Sequence, residues 1–306
     1  MNRRIVAIGR AASRPFELPV RLEPDVARLT AAGVPDRTLA GPGRFPIGRW
    51  LARAGVLATN AGVRASIDGV AVQSDGKIVV AGSAQTPSGT DSVIDRLSAN
   101  GALDPAFGNL ATDKSRIWYV VGQDDVAEAV TVSELPTRRI VVAGHTKTAA
   151  GDYDMAVGVL DAGGVADIGF DGDGRMTIPF NLGGTNRDVA ASVKIQSKIQ
   201  TIGGFPVVTR EIVLAGVAAN VPNAPSHTAF ALAQVAFDGT LDPTFGDGGK
   251  STFAWDVDGD GVPNDGGALA MDDQGTMAIV GGKTMVLRGD GSDDLAWVVA
   301  RVVLEP

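Results

Sequence analysis

The chain has 306 residues and a formal charge of −8 from 27 basic and 35 acidic residues, and no basic run in it would suit a nucleic acid. The absence of cysteine excludes disulfides and thiolate metal sites, and the presence of only two histidines excludes a histidine-rich zinc site. We expect no membrane span, since the apolar stretches are short, and we find no apolar segment of signal-peptide length. The 40 glycines and the 5% aromatic content favour many tight turns between short strands.

A short β-branched run that ends in glycine occurs five times and predicts five buried strands. The copies RRIVAIG, GKIVVAG, RRIVVAG, REIVLAG and GTMAIVG end at Gly9, Gly82, Gly144, Gly216 and Gly281. An alternating strand precedes the run, and its opening aspartates are Asp68, Asp125, Asp188 and, more loosely, Asp265. A third strand, a turn such as DPAFG or DPTFG and a fourth strand follow. Four short strands joined as a meander predict the blade of a β-propeller.

We therefore predict an all-β fold, with residues 1–306 forming a single propeller of about five four-stranded repeats. The approximate repeats are 1–65, 66–123, 124–186, 187–263 and 264–306. Alignment of Ile5 with Ile78 starts the first repeat at its hairpin turn, and alignment of Arg301 with Arg96 leaves the last repeat without its fourth strand. Exposed strand edges favour pairing with another chain. Three alternatives follow: a fragment of a longer repeat protein, a homo-oligomer that pairs the edges, or a ring that closes without a fourth-strand clasp.

Several phenylalanines and aspartates in the recurring turns have predicted structural roles. Phe107, Phe170 and Phe245 recur in the same turn, and we predict that they pack the blades. Asp171 and Asp173 lie in the segment FDGDG of this turn, and we predict that they are solvated turn residues.

Two segments of the chain resemble a known family. The segments 71–108, which contains AVQSDGKIVVAGSA, and 231–250, which contains GTLDPTFGDGGK, resemble the delta-60 repeat family of bacterial proteins. The resemblance implies a β-propeller, usually in an extracellular or cell-surface protein. It implies no single activity, and it assigns no catalytic residue.

The segment DVDGDGVPND has no counterpart in the other repeats and predicts a calcium loop. Its acids alternate at Asp256, Asp258 and Asp260 before a glycine, which is the opening D-x-D-x-D-G of such a loop. The wording also resembles the thrombospondin type 3 calcium repeat. That resemblance implies as ligands Asp256, Asp258, Asp260 and the Val262 carbonyl, with Asn264 or Asp265 completing the shell. Gly267 replaces the final bidentate acid, which predicts weak binding. The alternative is an acidic surface loop.

The second candidate site is the set Asp68, Asp125, Asp188 and Asp265, each placed at the start of a first strand. If that strand is innermost, the acids would gather at one mouth of a central channel, where a divalent metal could generate hydroxide. The alternative is that each aspartate caps a turn or bonds a neighbouring blade. His145 breaks the repeat pattern after the glycine of its run, so it is a candidate acid, base or ligand.

The family resemblance, the symmetric repeats and the lack of a catalytic constellation favour a secreted or cell-surface binding or structural module with a calcium-ordered loop, whose ligand is a protein or a carbohydrate. The alternative function is a metal-dependent hydrolase of esters, lactones or phosphoesters. A third hypothesis is a lectin-like module that stacks a sugar on Trp50 or on aromatic residues of the channel. We predict neither a nucleic-acid partner nor a membrane span, and a homo-oligomer through exposed edge strands is one of the alternatives.

Overall fold

The computed structural model describes the residues 5–12, 22–39, 44–46, 65–86, 89–108, 117–118, 124–134, 137–183, 187–219, 228–253, 265–271, 277–287 and 293–303. All regular structure in these ranges is β-strand, arranged in five antiparallel sheets whose strands follow chain order. None of these ranges contains a helix that could span a membrane.

The first sheet contains β1 (Ile5–Ala12), β2 (Leu22–Leu29) and β3 (Arg44–Pro46). The second contains β4 (Ala65–Val72), β5 (Ile78–Thr86), β6 (Gly89–Leu97) and β7 (Ile117–Trp118). The third contains β8 (Asp125–Ser133), β9 (Arg139–Lys147), β10 (Tyr153–Asp161) and β11 (Arg175–Ile178).

The fourth sheet contains β12 (Val189–Ile202), β13 (Phe205–Ala219), β14 (Thr228–Ala236) and β15 (Lys250–Phe253). The fifth contains β16 (Asp265–Met271), β17 (Met277–Leu287) and β18 (Asp293–Val303). The predicted all-β propeller of about five repeats, with incomplete first and last blades among the described residues, is confirmed. We call each sheet a blade; the exact bounds of the repeats stay a prediction.

The recurring β-branched run forms the second strand of a blade, and its residues are buried on both faces. Ile140, Val141 and Val142 in β9 are each exposed by no more than 1%. A strand that is covered on both sides needs a continuous apolar run rather than alternation, which is why this part of the repeat is the easiest to recognise in the sequence.

A glycine ends this run because a β-bulge in the first strand lies against it. The pairing of β4 with β5 skips Asp68 next to Gly82, and the pairing of β12 with β13 skips Ala191 next to Gly216. A Cβ on either glycine would come within 3.0 Å of a backbone carbonyl oxygen of the bulged strand. Those oxygens belong to Ser66 and Val189. Only glycine fits this close backbone approach.

The aspartate of the DPxF-type turn holds that turn together in four blades. Its Oδ1 accepts the backbone N–H of the residue two positions further on, at 2.9–3.0 Å. The four aspartates are Asp36, Asp104, Asp167 and Asp242. This is the local side-chain turn for which aspartate is favoured. The sequence pattern is therefore satisfied by backbone hydrogen bonding in each of these four blades.

The chain divides into two compact units, residues 1–142 with 160–166 and residues 143–159 with 167–306. In the first unit, Val26 and Leu39 of the first blade pack with Ile78 and Val80 of the second. In the second unit, the core of the fourth blade includes Val213 and Leu232, and the rings of Phe230 and Phe253 stack at 5.2 Å. Each core thus lies where the face of one blade meets the next.

An arginine and an aromatic residue connect successive blades within the first unit. Arg28 in β2 donates from Nη1 to the Ala99 carbonyl of the second blade. Arg96, at the same place in β6, donates from Nη1 to the Ala162 carbonyl of the third blade at 2.6 Å. Its guanidinium also lies 4.7 Å above the Phe107 ring.

Phe107 explains a glycine in the turn of the next blade. A Cβ on Gly164, which has a φ of +83°, would lie 2.6 Å from the Phe107 ring. Phe107 and Phe170 are fully buried, and Phe245 packs against the core of the fourth blade. The structure agrees with the predicted blade-packing role of all three phenylalanines.

The hairpin of β12 and β13 is longer than the equivalent hairpin of the second blade. Its pairing continues to Ile202 and Phe205, where Gly203 and Gly204 form the turn, whereas β4 and β5 pair only as far as Val72 with Ile78. The side chains near the tip are exposed, including Ile199 at 72% and Phe205 at 74%. The base of the extension carries Lys198, which is buried.

Candidate functional site

The predicted calcium ligands Asp256, Asp258, Asp260, Val262 and Asn264 lie outside the described residues. Asp265 is the first residue of β16, and its backbone pairs with Lys283. The calcium loop therefore stays a prediction. His227, Trp50 and Trp255 also lie outside the described ranges.

Asp68 does not lie at the start of a strand, so its predicted equivalence with Asp125 and Asp188 is wrong. It is the fourth residue of β4 and the one skipped at the bulge, whereas Asp125 begins β8 and Asp188 directly precedes β12. Because the skipped residue of the fourth blade is Ala191, the counterpart of Asp68 there is Ala191. The Asp68 side chain is exposed and accepts a hydrogen bond from Ser66 Oγ.

Asp188 is held at the junction of the third and fourth blades by one hydrogen bond from its backbone and one to its side chain. Its N–H donates to the Tyr153 carbonyl at 2.7 Å, and its Oδ2 accepts the Phe180 N–H at 2.7 Å. The residue is only 2% exposed. Among the described atoms, its Oδ1 has no hydrogen-bond partner. Oδ2 is thus committed to structure and Oδ1 is buried, while the backbone N–H groups of Ala219 and Asn181, like that of Phe180, lower the pKa of the carboxyl.

The environment of Asp188 favours the protonated carboxyl. Burial raises the pKa of Asp188 from 3.8 to about 6, and the charge of Asp154 adds to this, while the backbone N–H of Phe180 opposes it. Burial also raises the pKa of Asp154, helped by the charge of Asp152. Two carboxyls that both resist ionisation suit a shared proton or a bound cation.

His145 lies inside β9 and is buried, with 8% exposure, rather than in a loop as its sequence position had suggested. Its ring meets Tyr153 edge to face, with 5.6 Å between centroids. Lys147 Nζ lies 5.9 Å from the centroid of the same Tyr153 ring. Tyr153 therefore connects the histidine, through its ring, with Asp188, through its carbonyl.

Sequence reasoning missed Asp154, although the repeat contained a signal for it. Asp91 in β6 occupies the place that Asp154 occupies in β10, since each stands six residues before the leucine at Leu97 or Leu160. Each is followed, in the next blade, by an aspartate at the beginning of the first strand, Asp125 or Asp188. Asp91 and Asp125 are buried, with 7% and 3% exposure. The same sequence pattern of two acids, both buried in the second and third blades, thus recurs at two successive blade junctions.

Within the described ranges, no group of three or more histidine, aspartate or glutamate residues is placed to hold a metal ion. The assignment of Asp68, Asp125, Asp188 and His145 to catalysis stays a prediction. What the described residues do provide around Asp188 is a buried carboxyl of raised pKa with a second acid beside it. That arrangement can hold a proton near neutral pH.

A second buried group of charges lies in the fourth blade and has a structural role. Lys198 Nζ contacts Glu211 Oε2 at 2.8 Å and Asp242 Oδ2 at 2.9 Å. Gln234 Nε2 donates to Glu211 Oε2 and, at 2.8 Å, to Gln196 Oε1. Burial alone would raise the pKa of Asp242, but hydrogen bonds from Lys198 and Thr244 hold it at about 2.

In the second blade, other cations bond the aspartate of the turn. Asp104 Oδ2 accepts from Lys77 Nζ at 2.9 Å and from Arg96 Nε at 2.8 Å. In the fourth blade the places of Lys77 and Arg96 are taken by Glu211 and Gln234. Lys198, on the extended hairpin, therefore supplies the cation that the turn aspartate needs.

We expect Asp188→Asn to abolish a loss of stability that the natural chain shows between about pH 4 and pH 6. The folded-state pKa of Asp188 lies above its value of 3.8 in the unfolded chain, so the contribution of this one group to stability is full below pH 3.8 and is lost as the pH rises through about 6. A shift of this size corresponds to about 3 kcal/mol. Asparagine keeps an acceptor for the Phe180 N–H and has no charge to bury.

Urea unfolding at a series of pH values measures this slope. Asp173→Asn, which changes an exposed turn aspartate, is the matched control and should keep the slope of the natural chain. An Asp188→Asn variant with the same slope as the natural chain would show that Asp188 is ionised in the folded protein at pH 5.

Comparison with protein families gives a match on the second blade. Residues 73–107 match the model of a β-propeller domain of unknown function, DUF5122. This range runs from the first hairpin turn of the blade to the phenylalanine of the DPAFG turn. Comparison with curated proteins gives no match.

Solved structures with a similar arrangement of strands include three glycoside hydrolases of low identity. An α-L-arabinofuranosidase from Lactobacillus brevis is 14% identical, with coverage of 77% of this chain and 66% of that chain and a TM-score of 0.34. An endo-arabinase from Bacteroides thetaiotaomicron is 12% identical, with coverage of 76% and 73% and a TM-score of 0.35. An endo-1,4-β-xylanase from the same organism is 9% identical, with coverage of 98% and 96% and a TM-score of 0.36. Values this low are no basis for a shared activity. The described sheets and the family match together identify the fold as a β-propeller.

Proposed function

We propose that the chain is a secreted or cell-surface β-propeller module of the delta-60 type that binds a protein or a carbohydrate, with one loop ordered by calcium. The observation that supports it is the use of the recurring acids in the described blades. The turn aspartates accept backbone N–H groups of their own turn, and three of them also pair with buried or half-buried cations. Acids that serve in every copy are structural, so the acids outside the pattern are the ones available for a ligand.

The loop from Asp256 to Asp265 is the acidic segment outside that pattern. Three carboxylates at alternate positions repel one another unless a cation lies between them. Alternate oxygens followed by glycine are the ligand arrangement of a calcium loop. Because Gly267 stands where a bidentate acid would complete the site, we expect a Kd on the order of 10⁻⁴–10⁻³ M.

Calcium added to chelator-stripped protein is expected to bind once and to raise the melting temperature. At a hundredfold excess over the Kd, such binding stabilises the folded state by about 2.7 kcal/mol. Calorimetric titration measures the binding, and thermal unfolding measures the stabilisation. Asp258→Ala should lose both effects. Asp173→Ala, the matched control in another Gly-Asp turn, should keep both.

A metal-dependent hydrolase of esters, lactones or phosphoesters is the second candidate function. The buried Oδ1 of Asp188, without a hydrogen bond and close to Asp154, favours it, because such an oxygen is available to a cation. Titration with manganese or zinc separates the two candidates. A site that survives Asp258→Ala, disappears in Asp125→Ala and accompanies ester hydrolysis would replace the first proposal with the second. Calcium binding that survives Asp258→Ala without such hydrolysis would refute both.

A further inference from the structure

The hairpin of β12 and β13 extends beyond the rest of its blade as a two-stranded ribbon. We define the ribbon as residues 197–202 and 205–210, which pair with each other along their whole length. The pairing of β13 with β14 begins only at Glu211, so β14 does not accompany the ribbon. Gly203 and Gly204, with φ of +61° and +83°, close the ribbon in a tight turn. The ribbon therefore presents two faces that β14 does not extend.

The end of the ribbon is apolar on both of these faces. Phe205 and Val207 alternate along β13 and so share one face, and they are 74% and 37% exposed. Pro206 and Val208 lie on the opposite face, where Val208 pairs with Ile199. Val208 and Ile199 are 52% and 72% exposed, and Pro206 is exposed as well. We call these five residues the apolar tip. Exposed apolar side chains that are grouped rather than scattered mark an interaction surface.

The charge next to the apolar tip is positive. The sequence has no charged residue from position 199 to position 209. Arg210, which is half-buried, follows directly on β13. The acid beside it, Glu211, is only 9% exposed and is paired with the buried Lys198. The tip thus has a cation behind it, although the chain as a whole carries a formal charge of −8.

The surface of a lipid bilayer fits the apolar tip better than a second protein does. A stable interface between two proteins takes about 20–30 residues a side. The tip offers five, and they point in two opposite directions. A flat partner, including a second copy of the chain, would cover one face of the tip and leave the other in water. Lipid surrounds an inserted hairpin, so it buries both faces at once.

The length of the apolar tip also suits the bilayer surface. From the pair Ile199–Val208 to the pair Ile202–Phe205 the ribbon rises about 10 Å. Segments that bind at a bilayer surface bury their apolar side chains about 5–10 Å into the boundary between headgroups and acyl chains. At this depth the backbone groups along the ribbon edges still meet headgroups and water, which the hydrocarbon interior would not provide.

We propose that the apolar tip of the β12–β13 ribbon inserts into the surface of an anionic lipid bilayer, with Arg210 at the level of the headgroups. The contact is peripheral and differs from a membrane span. A single cation near an anionic surface contributes a factor of about five in binding, so the preference for anionic over neutral lipid is small. The inference goes beyond the proposed function and does not depend on the calcium loop.

Flotation of the natural chain with vesicles of phosphatidylcholine and phosphatidylglycerol, in the presence of a chelator, tests the contact. We expect Phe205→Ser to weaken partitioning about tenfold or more, because a large apolar side chain is lost from the inserted tip. Arg210→Gln should remove the preference over vesicles of phosphatidylcholine alone. Ile168→Ser, at a turn isoleucine that is 76% exposed, is the matched control and should float like the natural chain. Phe205 and Ile168 are exposed, so the melting temperatures of their variants should stay close to that of the natural chain.

A dye on the apolar tip separates lipid from protein as the occupant. The natural chain has no cysteine, so Phe205→Cys carries a single thiol, which can be labelled with nitrobenzoxadiazole. The emission should shift to the blue when anionic vesicles are added, and the same dye on Ile168→Cys should not respond. A blue shift that rises with protein concentration without vesicles would mean that a second copy covers the tip, and it would overturn the proposal. A natural chain that does not float, or a Phe205→Ser variant that floats equally well, would overturn it too.

Discussion

Replacement of Gly216 by alanine is expected to lower the free energy of unfolding by at least about 3 kcal/mol, at the upper end of the range for forced overpacking. The added Cβ would collide with the Val189 carbonyl oxygen at the bulge between β12 and β13. Backbone on both sides is paired in the sheet, so neither partner can move away without losing ladder hydrogen bonds. Urea unfolding measures the change.

Gly82→Ala should behave in the same way, because the bulge of the second blade places the Ser66 carbonyl over it. Gly163→Ala is the matched control: the Cβ there would approach only the Asp161 side chain, at 3.2 Å or more, and that side chain can rotate. Equal losses at Gly163 and Gly216 would mean that the collision at the bulge is not the cause. The loss would then come from the general difference between glycine and alanine, including its effect on the unfolded chain.

Lys198→Met is expected to lower the free energy of unfolding by about 3–5 kcal/mol, the range for removing one partner of a buried ion pair. Methionine keeps the apolar length of the side chain but leaves Glu211 and Asp242 without their shared cation. Thermal or urea unfolding at pH 7 measures the loss. At lower pH the cost should shrink, because the stability that ionised Asp242 contributes is lost as the pH falls from about 4 towards its folded-state pKa of about 2.

A second substitution should restore the stability of Lys198→Met. Glu211→Lys places a cation where the second blade has Lys77, which bonds the turn aspartate Asp104 at 2.9 Å. The double variant therefore supplies one of the two cations that the second blade places at its turn aspartate, and we expect it to recover most of the loss. Glu211→Gln in the same background removes the uncompensated charge without supplying a cation and is the control. A double variant no more stable than that control would contradict the equivalence of the two sites.

The blades and their turns could be predicted from the sequence because the repeat displays them several times. A buried run such as IVVAG and a turn such as DPAFG each recur. One copy could match a strand or turn pattern by chance, but several copies in the same order would not. The turn aspartates and Phe107 behave as the repetition indicated, since their partners lie in the same turn or in the next repeat. Repetition predicts contacts that every copy makes.

What the sequence did not reveal are features that depend on register. The bulge that sets Asp68 apart from Asp188 leaves no mark in composition, because a skipped residue can be of almost any type. His145 appeared to follow its strand, since the β-branched run ends at the glycine, yet β9 continues to Lys147. Gly203 and Gly204 did mark the turn of the longer hairpin, but nothing local showed that Lys198 faces inward to Asp242.

The position of Lys198 has a consequence for which changes this blade tolerates. A chain with Glu211 and a short hairpin would bring the carboxylates of Glu211 and Asp242 together without the cation of Lys198. We therefore expect Glu211 to be tolerated only together with the extension that carries Lys198. By the same reasoning, trimming the hairpin to the length found in the second blade is not a neutral deletion. The hairpin extension that carries Lys198 and the glutamate at position 211 therefore depend on each other for stability, although the two residues lie on different strands.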